Sequence, residues 1–70
     1  MNLKERILNT ADKTKAEYKE SELKRQGYCQ TSKTSSKELA PREYIRRTHQ
    51  GTASSFEGPE TITLIWLEQA

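Results

Sequence analysis

The chain has 70 residues, 12 Lys and Arg against 10 Asp and Glu, and a mean hydropathy of −1.02. A chain this short forms one domain at most and buries only about 60% of the surface its unfolded form exposes. Cys29 is the only cysteine and His49 the only histidine, so an internal disulfide is excluded, and zinc would need several carboxylates or a second chain.

Small scaffolds with so little apolar content draw on disulfides, a metal or a partner. With the first two closed, a larger protein, a protein complex or self-association is the remaining aid. An unpaired thiol points to a reducing compartment. No apolar stretch approaches the ~20 residues of a membrane-spanning helix, and Lys4, Glu5 and Arg6 interrupt any secretory core at once. These features predict a cytoplasmic protein without membrane contact. The net charge of +2 is unevenly spread. Lys33, Lys37, Arg42, Arg46 and Arg47 outnumber Glu38 and Glu43 in the middle of the chain, while residues 51–70 carry only acids, Glu57, Glu60 and Glu68. A partner can read such polarity.

In chain order, the first predicted element is a helix over about 3–25. Asn2 followed by Glu5 has the spacing of a capping box, and Leu3, Ile7, Ala11, Thr14 and Tyr18 recur on one helical face. Lys24 and Arg25 suit a helix C-terminus, and Gly27 suits the position just past it. Tyr28–Gln30 begins a short strand candidate, about 28–32. The polar run 31–37 contains no apolar residue and reads as a loop, a hairpin tip or a local linker.

The basic segment 38–50 has two readings. Pro41 suits the first turn of a helix. Alternatively, Glu43–His49 forms a strand, which its β-branched and aromatic content favours. A polar loop over 51–60, with Phe56 and a turn at Gly58-Pro59, leads to a C-terminal strand over 61–68. There Ile62, Leu64 and Trp66 face one way, and Thr61, Thr63, Ile65 and Leu67 the other. Apolar residues on both faces predict cover on both sides.

The fold class expected is α+β: one N-terminal amphipathic helix on a small antiparallel sheet of two to three short strands. An all-helical N-terminal half with a C-terminal hairpin is the second possibility.

Chemistry is sparse. Cys29 and His49 make a Cys–His pair formally possible, but such a pair also needs an oxyanion hole and a pocket. The acids alternate with Lys and Arg at helix-surface spacing, as solvated ion pairs do. Phosphate-loop, CxxC and HExxH motifs are absent. No enzyme and no cofactor is expected.

Two binding surfaces remain. Arg42, Tyr44, Arg46, Arg47 and His49 interleave basic and aromatic groups, a pattern for phosphate contact and base stacking that would make binding strongly salt-dependent. Arg-rich strands are also common as solvated faces of small sheets. Trp66, Ile65 and Leu67 form the other surface. Trp, Tyr and Arg are enriched at hot spots, and a terminal strand at a sheet edge can extend a partner's sheet. The sequence therefore favours a small non-enzymatic protein that modulates a larger protein or complex, in the manner of phage-encoded inhibitors and accessory subunits. A nucleic-acid-binding accessory protein is the alternative, and a thiol-dependent factor using Cys29 comes last.

Overall fold

A computed structural model describes residues 2–49 and 60–69. The predicted loop over 51–60, with Phe56 and the Gly58-Pro59 turn, lies outside these residues apart from Glu60. The elements are β1 (Leu3–Thr10), α1 (Lys13–Arg25), β2 (Cys29–Gln30), a 3-10 turn at Ser36–Glu38, β3 (Glu43–His49) and β4 (Thr61–Gln69). Among the described residues the protein is a small α+β fold with one helix on a four-stranded mixed sheet of order β1-β4-β3-β2.

The strands expected over 43–49 and 61–68 form there, and the candidate at 28–32 is reduced to Cys29–Gln30. The expected helix over 3–25 is corrected in its first third, because Leu3–Thr10 is a strand. β4, apolar on both faces, would otherwise expose a long row of backbone groups, and β1 satisfies that row by pairing antiparallel from Leu3↔Gln69 to Thr10↔Ile62. β4 is consequently interior to the sheet and does not offer an edge on which to extend a partner's sheet. The sheet is also not wholly antiparallel, since β2 pairs parallel with β3 through Cys29↔Glu43 and Gln30↔Tyr44.

The helix starts at a different cap from the one expected. Asp12, and not Asn2, is the N-cap: its Oδ1 accepts from the N–H of Thr14 at 2.9 Å and of Lys15 at 3.3 Å. Asp12→Ala is expected to cost about 1 kcal/mol, read from the urea midpoint. The other end closes as the sequence suggests. Tyr28 N–H donates to Leu23 O at 2.9 Å and Gly27 N–H to Lys24 O at 3.0 Å, a Schellman motif, with Gly27 at φ +92°. Tyr28 then packs, partly buried, against the core cluster that contains Leu23, as the apolar contact accompanying this motif does.

The two sheet faces are covered differently. Ala16 and Leu23 of α1 pack on Ile62, Leu64 and Trp66 of β4 and Tyr44 of β3, flanked by Leu8 and Tyr28. The helix therefore buries Ala16, Glu20 and Leu23, while Tyr18, expected on the packing stripe, is 67% exposed. Glu20 tolerates that position because Arg46 Nη1 donates to its Oε1 at 2.5 Å. On the opposite face Leu39 packs over Ile45 and Ile65, with Leu67 at the margin. The cover that Ile65 needs thus comes from the segment linking β2 to β3. Arg47 and Glu43 pin this segment: Arg47 donates to Thr34 O, and Glu43 accepts from Lys33 Nζ at 2.8 Å.

Glu43 also accepts from the N–H of Ala40 at 3.0 Å. The Lys33 bond first, and then the Ala40 bond, hold its carboxyl below the ordinary glutamate value. A depressed folded-state pKa adds stability above the unfolded value, near ~4.3, and that stability is lost as pH falls through the lowered one. Glu43→Gln is expected to lower Tm at neutral pH and to flatten the acid limb of Tm against pH.

Candidate functional site

The site follows from the unequal lengths of β3 and β4. Their pairing ends at Tyr44↔Trp66, while β4 continues through Leu67, Glu68 and Gln69 beside β1. Beyond that point the chain preceding β3 turns away at Ala40–Glu43. Glu43 N–H donates to Ala40 O at 3.2 Å, closing a four-residue turn with Pro41 second and Arg42 third at φ 71°. A positive φ at the third position defines a type II turn, which Gly or Asn usually fills. Arginine in this left-handed conformation costs about 1–2 kcal/mol.

The space left beside the end of β4 is a groove of about 680 Å³, lined by Leu3, Gln26, Tyr28, Pro41, Arg42 and the run 67–69. Its volume lies in the ligand-pocket range of about 300–1,000 Å³, enough for several side chains of a partner. Tyr28 Oη donates to Leu67 O at 2.7 Å across one side of it. Arg42 donates through Nη1 to Gln26 O and lies 5.9 Å from the centroid of the Tyr28 ring. Glu68, also in the lining, accepts from Trp66 Nε1 at 3.1 Å, with Arg6 Nε 4.0 Å from its carboxylate. The groove lining thus combines apolar side chains with one guanidinium and one carboxylate.

Of the residues proposed from sequence, Arg42 and Leu67 meet in this groove. Trp66, Tyr44 and Ile65 are buried. Trp66 packs beside Tyr44 under the helix, with Lys19 Nζ 4.8 Å from its ring. The Tyr44 hydroxyl has no hydrogen-bond partner among the described residues. Burial first, and then the charge of Glu20, push its pKa above the ordinary tyrosine value, against the opposing pull of Arg46. The three arginines do not converge. Arg46 shares the helix-covered face with Glu20, Arg47 lies on the opposite face against Thr34, and Arg42 is in the groove.

Cys29 and His49 are both exposed and lie at opposite ends of β3, since Cys29 pairs with Glu43. Six residue steps separate those ends by roughly 20 Å at the usual rise. Among the described residues, no three His, Cys, Asp or Glu side chains are grouped to hold a metal ion, and no helix is long and apolar enough to cross a membrane.

Sequence reasoning missed Leu3, Tyr28 and Gln26 as site residues. Leu3 read as helix, and only the Schellman turn and the β1–β4 register bring the three together. No family model, curated protein or solved structure matches the chain.

Proposed function

We propose that this chain is a small non-enzymatic binding protein that modulates a larger protein or complex, as an inhibitor or accessory subunit, through the groove at the end of β4. The observation that carries this reading is Arg42, held at φ 71° where glycine would fit without strain, in the lining of a groove that Leu3, Tyr28 and Leu67 also line. A sparsely populated conformation of this kind costs free energy and concentrates at functional sites. Arg and Tyr are also residue types that dominate binding energy at interfaces. The exposed thiol of Cys29 suits a reducing, cytoplasmic setting.

Nucleic-acid binding through Arg42, Arg46 and Arg47 has less support, because the three side chains point to different parts of the molecule and each is engaged by an internal acceptor.

The test is affinity capture with the wild type and single variants. Arg42→Gly removes the left-handed strain and is expected to hold or raise Tm while losing the captured protein. Leu67→Asp is expected to lose it as well, and Arg47→Glu to retain it. Recovery of nucleic acid alone, released by salt and lost with Arg47→Glu, would reverse the choice.

A further inference from the structure

The outer edge of β1 is the longest open sheet edge among the described residues. β1 pairs with β4 on one side only, and at the other end of the sheet β2 is two residues long. A long edge strand is a template for another strand. Here its side chains are themselves unusual for an edge, since Ile7 is 57% exposed.

The register explains what Ile7 is part of. Ile45 of β3, Ile65 of β4 and Ile7 of β1 stand directly opposite one another, forming one row across the sheet. Ile45 and Ile65 are buried under Leu39, but the row runs out to the edge and stops at Ile7. We infer that the occupant of this edge is a second copy of the chain, paired antiparallel through β1 about a two-fold axis at Ile7.

Symmetry and charge select that arrangement. A two-fold axis that makes neighbouring strands antiparallel runs along the sheet normal, keeps each side chain on its face, and pairs residues of like parity. Centring on Glu5 sets Glu5 against its own copy and Lys4 against Arg6. Centring on Arg6 sets Arg6 against its own copy. Like charges directly opposite are destabilising. Centring on Ile7 sets Ile7 against Ile7, Arg6 against Leu8, Glu5 against Asn9 and Lys4 against Thr10, with no like-charge pair and with residues 4–10 all engaged. Centring on Leu8 or Asn9 also sets no like charges opposite one another but engages only residues 6–10 or 8–10 of the strand, so the Ile7 register is the longest self-pairing without them. The isoleucine row then continues without a break through the partner's three isoleucines, in a sheet of twice the strand number with both helices on one face. The paired residues 4–10 do not line the groove proposed above, which takes only Leu3 from β1.

Sedimentation equilibrium across a concentration series tests the inference. The wild type is expected to approach twice the chain's 8.1 kDa. Ile7→Lys and Ile7→Glu, each alone, place like charges at the axis and are expected to remain monomeric. Their equimolar mixture is expected to regain the dimer, as a complex containing one of each. That rescue requires both variants to be folded and requires position 7 to face itself. A wild type that stays monomeric at the highest concentration would overturn the proposal, whether the edge then serves a different protein's strand or none. A dimer that survives both single variants, or a mixture without rescue, would overturn it as well. The groove variants Arg42→Gly and Leu67→Asp should leave the dimer intact, so the two readings fail separately.

Discussion

Leu23→Ala is expected to destabilise the protein by about 2–5 kcal/mol, the range for truncating a buried leucine, whereas Tyr18→Ala should change stability by no more than about 0.5 kcal/mol. Leu23 is fully buried, in a cluster with Ala16, Tyr44, Ile62, Leu64 and Trp66, and it anchors the contact with Tyr28 that closes the helix. Tyr18 stands on the helix surface at 67% exposure. For a domain of this size the larger loss consumes most of the total stability, so the Leu23 variant should be partly unfolded without denaturant. Urea unfolding followed by the fluorescence of the buried Trp66 reads both. Equal effects at the two positions would mean that the helix packs by the face its apolar spacing suggests, and not by the face containing Glu20.

The second large effect concerns that glutamate. Arg46→Ala is expected to cost about 2–3 kcal/mol and Glu20→Ala only about 1 kcal/mol, because breaking a pair strands whichever charge is more deeply buried. The Glu20 side chain is 11% exposed and that of Arg46 29%. Without Arg46, the carboxylate stays against the apolar cluster around Tyr44. Without Glu20, the guanidinium still reaches water. The double variant Glu20→Leu with Arg46→Met is expected to recover most of the loss, since apolar replacement of both partners removes the desolvation penalty along with the attraction. Thermal unfolding of all three variants beside the wild type supplies the comparison, and an Arg46→Ala variant as stable as Glu20→Ala would rule out this burial order.

The same pair shows where the sequence was legible and where it was not. Thr61–Leu67 carries enough β-branched and aromatic residues to declare itself a strand, Glu43–His49 only enough to favour a strand over a helix, and Gly27 after Lys24 and Arg25 marks the helix end. The helix start was hidden because Asn2 and Glu5 reproduce a cap pattern by chance of spacing, while Asp12 does the work with no partner glutamate three positions on. The packing face was hidden because an acid sits at its centre, and an apolar count rejects that face unless Arg46 is known to lie above it. β1 reads poorly as a strand by itself and acquires that structure from the edge of β4, a tertiary requirement. At the site, Leu67 and Arg42 were each visible as contact candidates for other reasons. Their meeting depends on where β3 stops and on an arginine taking the glycine position of a type II turn, neither of which composition or periodicity encodes.

The most direct measurement for the proposed contact surface is a backbone amide shift titration of the labelled chain with the protein recovered by capture. The perturbed residues are expected to cluster at Leu3, Gln26, Tyr28, Arg42 and Leu67, around one end of the sheet, with Arg47 and His49 unchanged. Perturbations centred on Arg47 and His49, with the groove residues silent, would contradict it.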